Sequence, residues 1–93
     1  MKKINYISDN CIEVEYEPGD MTRYSFFVHR LSPDDYSIAP KDSTFRFPQR
    51  LNIWDVTDID EENLMRIAEK ENCNPYTLKA VIDIIMIISQ GRD

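Results

Sequence analysis

Glycine is scarce in this chain of 93 residues; Gly19 and Gly91 are the whole complement. Two isolated glycines cannot build a phosphate-cradling loop or a dinucleotide-binding turn. Histidine occurs once, as His29. A single imidazole leaves nucleophile–base and metal chemistry short of partners, and the HExxH, CxxC and serine-elbow motifs are missing. A lone histidine on a strand reads as a surface or satisfied residue. Catalytic residues, metal ligands and cofactors are therefore not expected, and the chain is not read as an enzyme. Cysteine occurs twice, as Cys11 and Cys73. Small secreted domains carry more cysteines at closer spacing, so these read as two reduced thiols acting as small hydrophobes. Long apolar runs are also missing. Ala80 to Ile88 is the most apolar stretch, with Asp83 interrupting it, and a bilayer span needs about 20 residues. Lys2 and Lys3 have no apolar stretch behind them, so no secretory leader is read. Basic residues are outnumbered, 11 against 17 acids, for a net charge of −6. That deficit weighs against direct binding to nucleic-acid phosphates. The expectation is a single soluble, cytoplasmic domain over residues 1–93, with no membrane association.

What is present divides into two textures. Residues 1–56 hold four of the five prolines and nine of the ten aromatic residues. Lys3 to Ser8 is β-prone. Cys11 to Glu17 alternates strictly, with Ile12, Val14 and Tyr16 against Glu13, Glu15 and Glu17, the pattern of a half-buried strand. Glu17-Pro18-Gly19-Asp20 supplies a turn, with proline setting φ and glycine accepting a positive φ. Met21 to Leu31 returns as a strand, pairing 11–17 with 21–30 in a hairpin. Tyr36 to Ala39, Thr44 to Phe47 and Gln49 to Val56 are further strand candidates, kept short by Pro40 and Pro48.

Residues 57–93 carry a helical rhythm. Asp58 is an expected N-cap, with Glu61 completing a capping-box pattern. Leu64, Ile67 and Ala68 follow at helical spacing. Cys73-Asn74-Pro75 ends this helix and starts another. In the second helix Lys79, Asp83 and Gln90 fall within about 40° of one another on the helical wheel. One narrow polar stripe implies burial over most of the girth. The rival reading is a buried strand, since isoleucine favours β structure. The predicted architecture is α+β: an antiparallel sheet of four to five strands over residues ~3–56, then two helices over ~59–72 and ~75–90.

Three motifs raise specific chemistry. Asp58, Asp60, Glu62 and Glu69 stand at calcium-loop offsets, but Asn63 holds the position that needs glycine. Phe45-Arg46-Phe47-Pro48-Gln49-Arg50 interleaves aromatics with cations, as single-stranded RNA binders do, though sheet-core packing explains Phe45 and Phe47 equally well. Residues 64–82 resemble a helix-turn-helix motif. Ala68 matches the small residue of its first helix, and Leu78 and Val81 match the apolar positions of its recognition helix. Asn72 departs from the usual turn glycine. The resemblance implies a DNA-binding transcriptional regulator whose outward positions include Asn74, Tyr76, Thr77, Lys79 and Asp83, while an ordinary αα-corner explains the same spacing.

The distribution of acid is the strongest functional clue. Residues 9–20 hold five acids and no base, and residues 55–71 carry a local net charge of −5. A negative field of that kind steers encounter with a basic partner, and acids also serve solubility. The leading expectation is a small acidic, non-catalytic protein-binding module that inhibits a basic, nucleic-acid-handling target. In size and charge, and in no motif, the chain is similar to phage-encoded anti-CRISPR proteins, antitoxins and toxin-immunity proteins. The expected partner-binding residues are Glu13, Glu15, Glu17, Asp58, Asp60, Glu61 and Glu62 on one face, with Tyr16 and Trp54 as aromatic anchors. A core tryptophan is the rival for Trp54. Ile84 and Ile87 are expected to meet a second chain, in a homodimer or with the target.

Overall fold

A computed structural model describes residues 1–19, 21–42 and 44–90, and its order of elements is five strands followed by helices. The strands are β1 (Lys2–Ser8), β2 (Cys11–Tyr16), β3 (Tyr24–Arg30), β4 (Asp35–Pro40) and β5 (Arg50–Asn52). They form one antiparallel meander in chain order, so every neighbour in sequence is a neighbour in space. The fold is α+β, as the two textures imply.

Register follows from the alternation read in the sequence. Val14 stands opposite Ile4 and Phe26, and Ile12 opposite Val28. Val28 in turn faces Ile38, and Tyr36 faces Leu51. These residues make a continuous apolar surface on one side of the sheet, and nearly all of them are buried. The period-two pleat sends Glu13, Glu15, Ser25, Phe27 and His29 to the opposite, outer face. Gly19 turns the β2–β3 connection at a φ of +116°, as a turn glycine should.

The helices are α1 (Ile53–Val56), α2 (Glu61–Glu71) and α3 (Pro75–Ser89). The spine of the apolar layer is α3: Leu78, Val81, Ile84, Ile85 and Ile88 are all buried in the same cluster as the sheet's inner residues. Sheet and helix are also tied at the far end, where Arg30 Nη2 donates to the Ile88 carbonyl at 3.0 Å. A cation there also suits the negative end of the helix dipole.

Three local expectations differ from the structure. Gln49 to Val56 is not one strand. Pairing stops at Asn52, whose side chain accepts from the Trp54 N–H and caps a helical turn over Ile53–Val56. Thr44 to Phe47 forms no strand. Between Pro40 and Pro48 its rings instead face inward, Phe45 against Tyr24 at 4.9 Å and Phe47 against Phe26 at 5.1 Å. The N-cap of α2 is Asp60 rather than Asp58, with Asp60 Oδ1 accepting from the Asn63 N–H at 2.8 Å. Asp58 lies two residues earlier with a left-handed φ of +52°. The α2 to α3 junction uses two asparagines in different roles. Asn72 takes the left-handed cap conformation, and Asn74 caps the N-terminus of α3 ahead of Pro75.

Candidate functional site

A largely apolar groove lies between the first half of α2, the loop before it, and α3. It encloses about 760 Å³. Its floor is Ile59, Leu64, Ile82 and Met86, with Met65 and Tyr76 at the edge. Met65 is 52% exposed and Tyr76 75% exposed, so both present apolar surface to solvent. Four acids rim the groove, namely Asp58, Asp60, Glu61 and Asp83, and among the described residues Lys79 is the one cation lining it.

Local sequence explains why these groups converge. The caps at Asp60 and Asn74 start two helices whose first turns both open onto the groove. The acids of the first turn of α2 suit its positive dipole end. From α3 come Pro75, Tyr76, Lys79, Ile82, Asp83 and Met86, spaced by three and four residues, which is one stripe along a helix. Asp83 is half-buried, and burial pushes its carboxyl above the ordinary aspartate value; Lys79 and a hydrogen bond from Tyr16 oppose the shift. Tyr16 Oη donates to Asp83 Oδ2 at 3.4 Å, and burial raises the phenol in turn.

The expected acidic residues do not share a face. Glu13 and Glu15 alternate with the buried Ile12 and Val14, so they lie on the outer side of the sheet, away from the helices. There Lys41 pairs with both, reaching Glu15 at 3.4 Å. That contact, with a hydrogen bond from Asn5, holds the Glu13 carboxyl below its ordinary value and lifts the Lys41 ammonium. Glu17 stands 3.8 Å from Arg23. Asp58, Asp60, Glu61 and Glu62 lie on the helical side, all exposed. Among the described residues no ion pair engages them. Strand alternation, which made the first cluster conspicuous in the sequence, is what separates it from the second.

Tyr16 points to the helix side and is half-buried, so it serves the wall beneath Asp83 rather than standing out as an anchor. Trp54 is 72% exposed on α1, which excludes the core reading of this residue. Ile84 is fully covered by its own chain, at 0% exposure, while Ile87 is half-buried. In the helix-turn-helix segment Thr77 faces inward and is buried, whereas Asn74, Tyr76 and Lys79 face out. A DNA-reading surface on α3 would be correspondingly narrow.

The remaining chemistry-bearing residues do not converge. Cys11 and His29 are cross-strand partners on the outer sheet face, with Ser37 beyond His29. Cys73 sits in the α2–α3 turn, and burial raises its thiol. Both cysteines are free. Among the described residues no group of three or more His, Cys, Asp or Glu side chains could hold a metal ion. None of the described helices is long and apolar enough to cross a membrane. A smaller cleft of about 420 Å³ lies toward the other end of α2, where Arg50, Arg66 and Lys70 stand among Asp55 and Glu71. The first turn of α2 is thus purely acidic, while its end mixes Arg66 and Lys70 with Glu69 and Glu71.

The groove was not visible as a unit in the sequence. Its α3 stripe is encoded at helical spacing, but the acids and apolar residues opposite come from the loop and α2, and only tertiary packing aligns them. The local signal was an exposed-type pattern broken by Met65 and Tyr76. No family model, curated protein or solved structure matches the chain.

Proposed function

We propose that this chain is a non-catalytic protein-binding module that inhibits a basic, nucleic-acid-handling protein, and that it does so through the helical side of the molecule. The observation that supports this reading is the groove itself, an apolar floor with an acidic rim that no ion pair among the described residues engages. Charged rims steer association, and apolar or aromatic residues at the centre supply most of the affinity. Met65, Tyr76 and the exposed Trp54 are of the residue types that anchor interfaces. The reading belongs to the anti-CRISPR, antitoxin or immunity type by analogy of size and charge.

The test is capture from an extract of the native host on immobilised protein, at low and at raised salt. The expected result is a basic nuclease, polymerase or nucleoprotein complex, retained at low salt, whose activity falls when the free chain is added. A captured protein that keeps full activity with the chain bound would contradict inhibition. Retention unaffected by salt and by loss of Met65 and Tyr76 side chains would contradict the site.

A further inference from the structure

We infer that the segment of the partner received by this groove is an amphipathic α-helix of about three turns, apolar on one face and flanked by Lys or Arg. The inference rests on the protein-binding reading above and adds the chemistry of the occupant.

Length comes first. The groove follows α3 from Pro75 to Met86. Eleven steps at 1.5 Å each give a trough about 16 Å long, the length of three helical turns. Its lining residues recur at three- and four-residue spacing along α3, so the trough is a groove beside one helix axis, closed on the other side by the start of α2. A helix whose own apolar residues recur at i, i+3/i+4 and i+7 presents a matching row of anchors.

Backbone chemistry comes second. The walls are helices and the loop before α2, and none of the residues lining them belongs to a strand. The groove therefore offers no strand edge with which an extended peptide could pair. A helix satisfies its backbone internally and needs only side-chain contact. Met65 and Met86, flexible and polarisable, suit a surface that must fit another helix's side chains.

Charge comes third, and it decides the flanks. Among the described residues, Asp58, Asp60, Glu61 and Asp83 outnumber Lys79 around the rim. None of those acids is ion-paired among the described residues, whereas Glu13 and Glu15 on the outer sheet face are already held by Lys41. An acidic helix would meet like charge from Asp58, Asp60 and Glu61 along the α2 wall. A purely apolar one would leave the acidic rim unused.

The test uses the full chain, labelled at methionine and isoleucine methyl groups, and three synthetic peptides. One is a fourteen-residue leucine–lysine peptide patterned as an amphipathic helix. The second has the same composition with the pattern scrambled, and the third is oligolysine of equal charge. The patterned peptide should bind one to one, shift the methyl signals of Ile59, Met65, Ile82 and Met86, and gain helical signal on binding. Met65→Ser with Tyr76→Ser, both at exposed positions, should weaken it by at least tenfold while the melting temperature stays within a few degrees. Equal binding of the scrambled peptide or of oligolysine would overturn the helical occupant and leave the acidic, basic-partner reading standing. Failure of all three peptides to bind would overturn both. Shifts confined to the outer sheet face, or affinity unchanged in the double variant, would overturn the groove as the site.

Discussion

Asp83 is the polar break in the apolar stretch from Ala80 to Ile88, and its environment makes it a probe of the groove floor. Burial raises its carboxyl above the ordinary value of 3.8, against the smaller opposing effects of Lys79 and of the Tyr16 hydrogen bond. The folded state thus binds this proton more tightly than the unfolded chain does. Stability falls as pH rises from the unfolded value through the folded one, and a constant penalty remains above that window. Asp83→Asn keeps an oxygen that accepts from Tyr16 and removes the charge. Its melting temperature should exceed that of the unaltered chain at pH 7, and the two should converge as pH falls toward 3. A loss of stability at pH 7, or a gain independent of pH, would contradict this account. The asparagines show the same dependence on placement. Asn72 tolerates the left-handed conformation, and Asn74 supplies a cap one turn before the apolar stripe begins.

At the scale of elements, α3 carries the fold. The sheet covers one side of it and α1 and α2 cover much of the rest, so a two-layer arrangement hides Ile84 completely. Ile84→Glu should unfold the domain, because the charge has no partner in that cluster. Ile87→Glu, at a half-buried position, should leave a cooperative thermal transition in place. Circular dichroism melts of the two variants test this directly, and a folded Ile84→Glu protein would refute the packing. If Ile87 also meets a second copy, light scattering at high concentration should show a dimer that the Ile87→Glu variant loses. The elements with clear periodicity were legible in the sequence: the alternation at Cys11 to Tyr16, the turn at Gly19 and the polar stripe of Lys79 and Asp83. Residues 49–56 were misread because Leu51 and Ile53 alternate like a strand, while the Asn52 cap that ends pairing looks like any polar strand residue. The start of α2 differs from the expected cap at Asp58 because Asp60, two residues on, is an equally competent cap residue. The later start goes with Ile59 and Leu64 packing against the core, which is tertiary.

At the scale of the whole molecule, the net charge of −6 is unevenly exposed. The outer face of the sheet is polar but locally neutralised by Lys41, while the groove side is acidic with no ion pair among the described residues and the far end of α2 mixes both signs. Two sequence clusters that look equivalent thus have different standing in three dimensions, and this difference is the central claim. Charge-matched variants test it most directly. One is Asp58→Asn, Glu61→Gln and Glu62→Gln on the helical side. The other is Glu13→Gln, Glu15→Gln and Glu17→Gln on β2 and its end. Each removes the same charge from the chain without reversing it, and Asn suits the left-handed position at residue 58. The measurement is the association rate constant with the captured basic partner at low salt. The account predicts a fall of about tenfold for the helical-side variant and less than twofold for the strand variant. Equal effects from the two, or a larger effect from the strand variant, would contradict it.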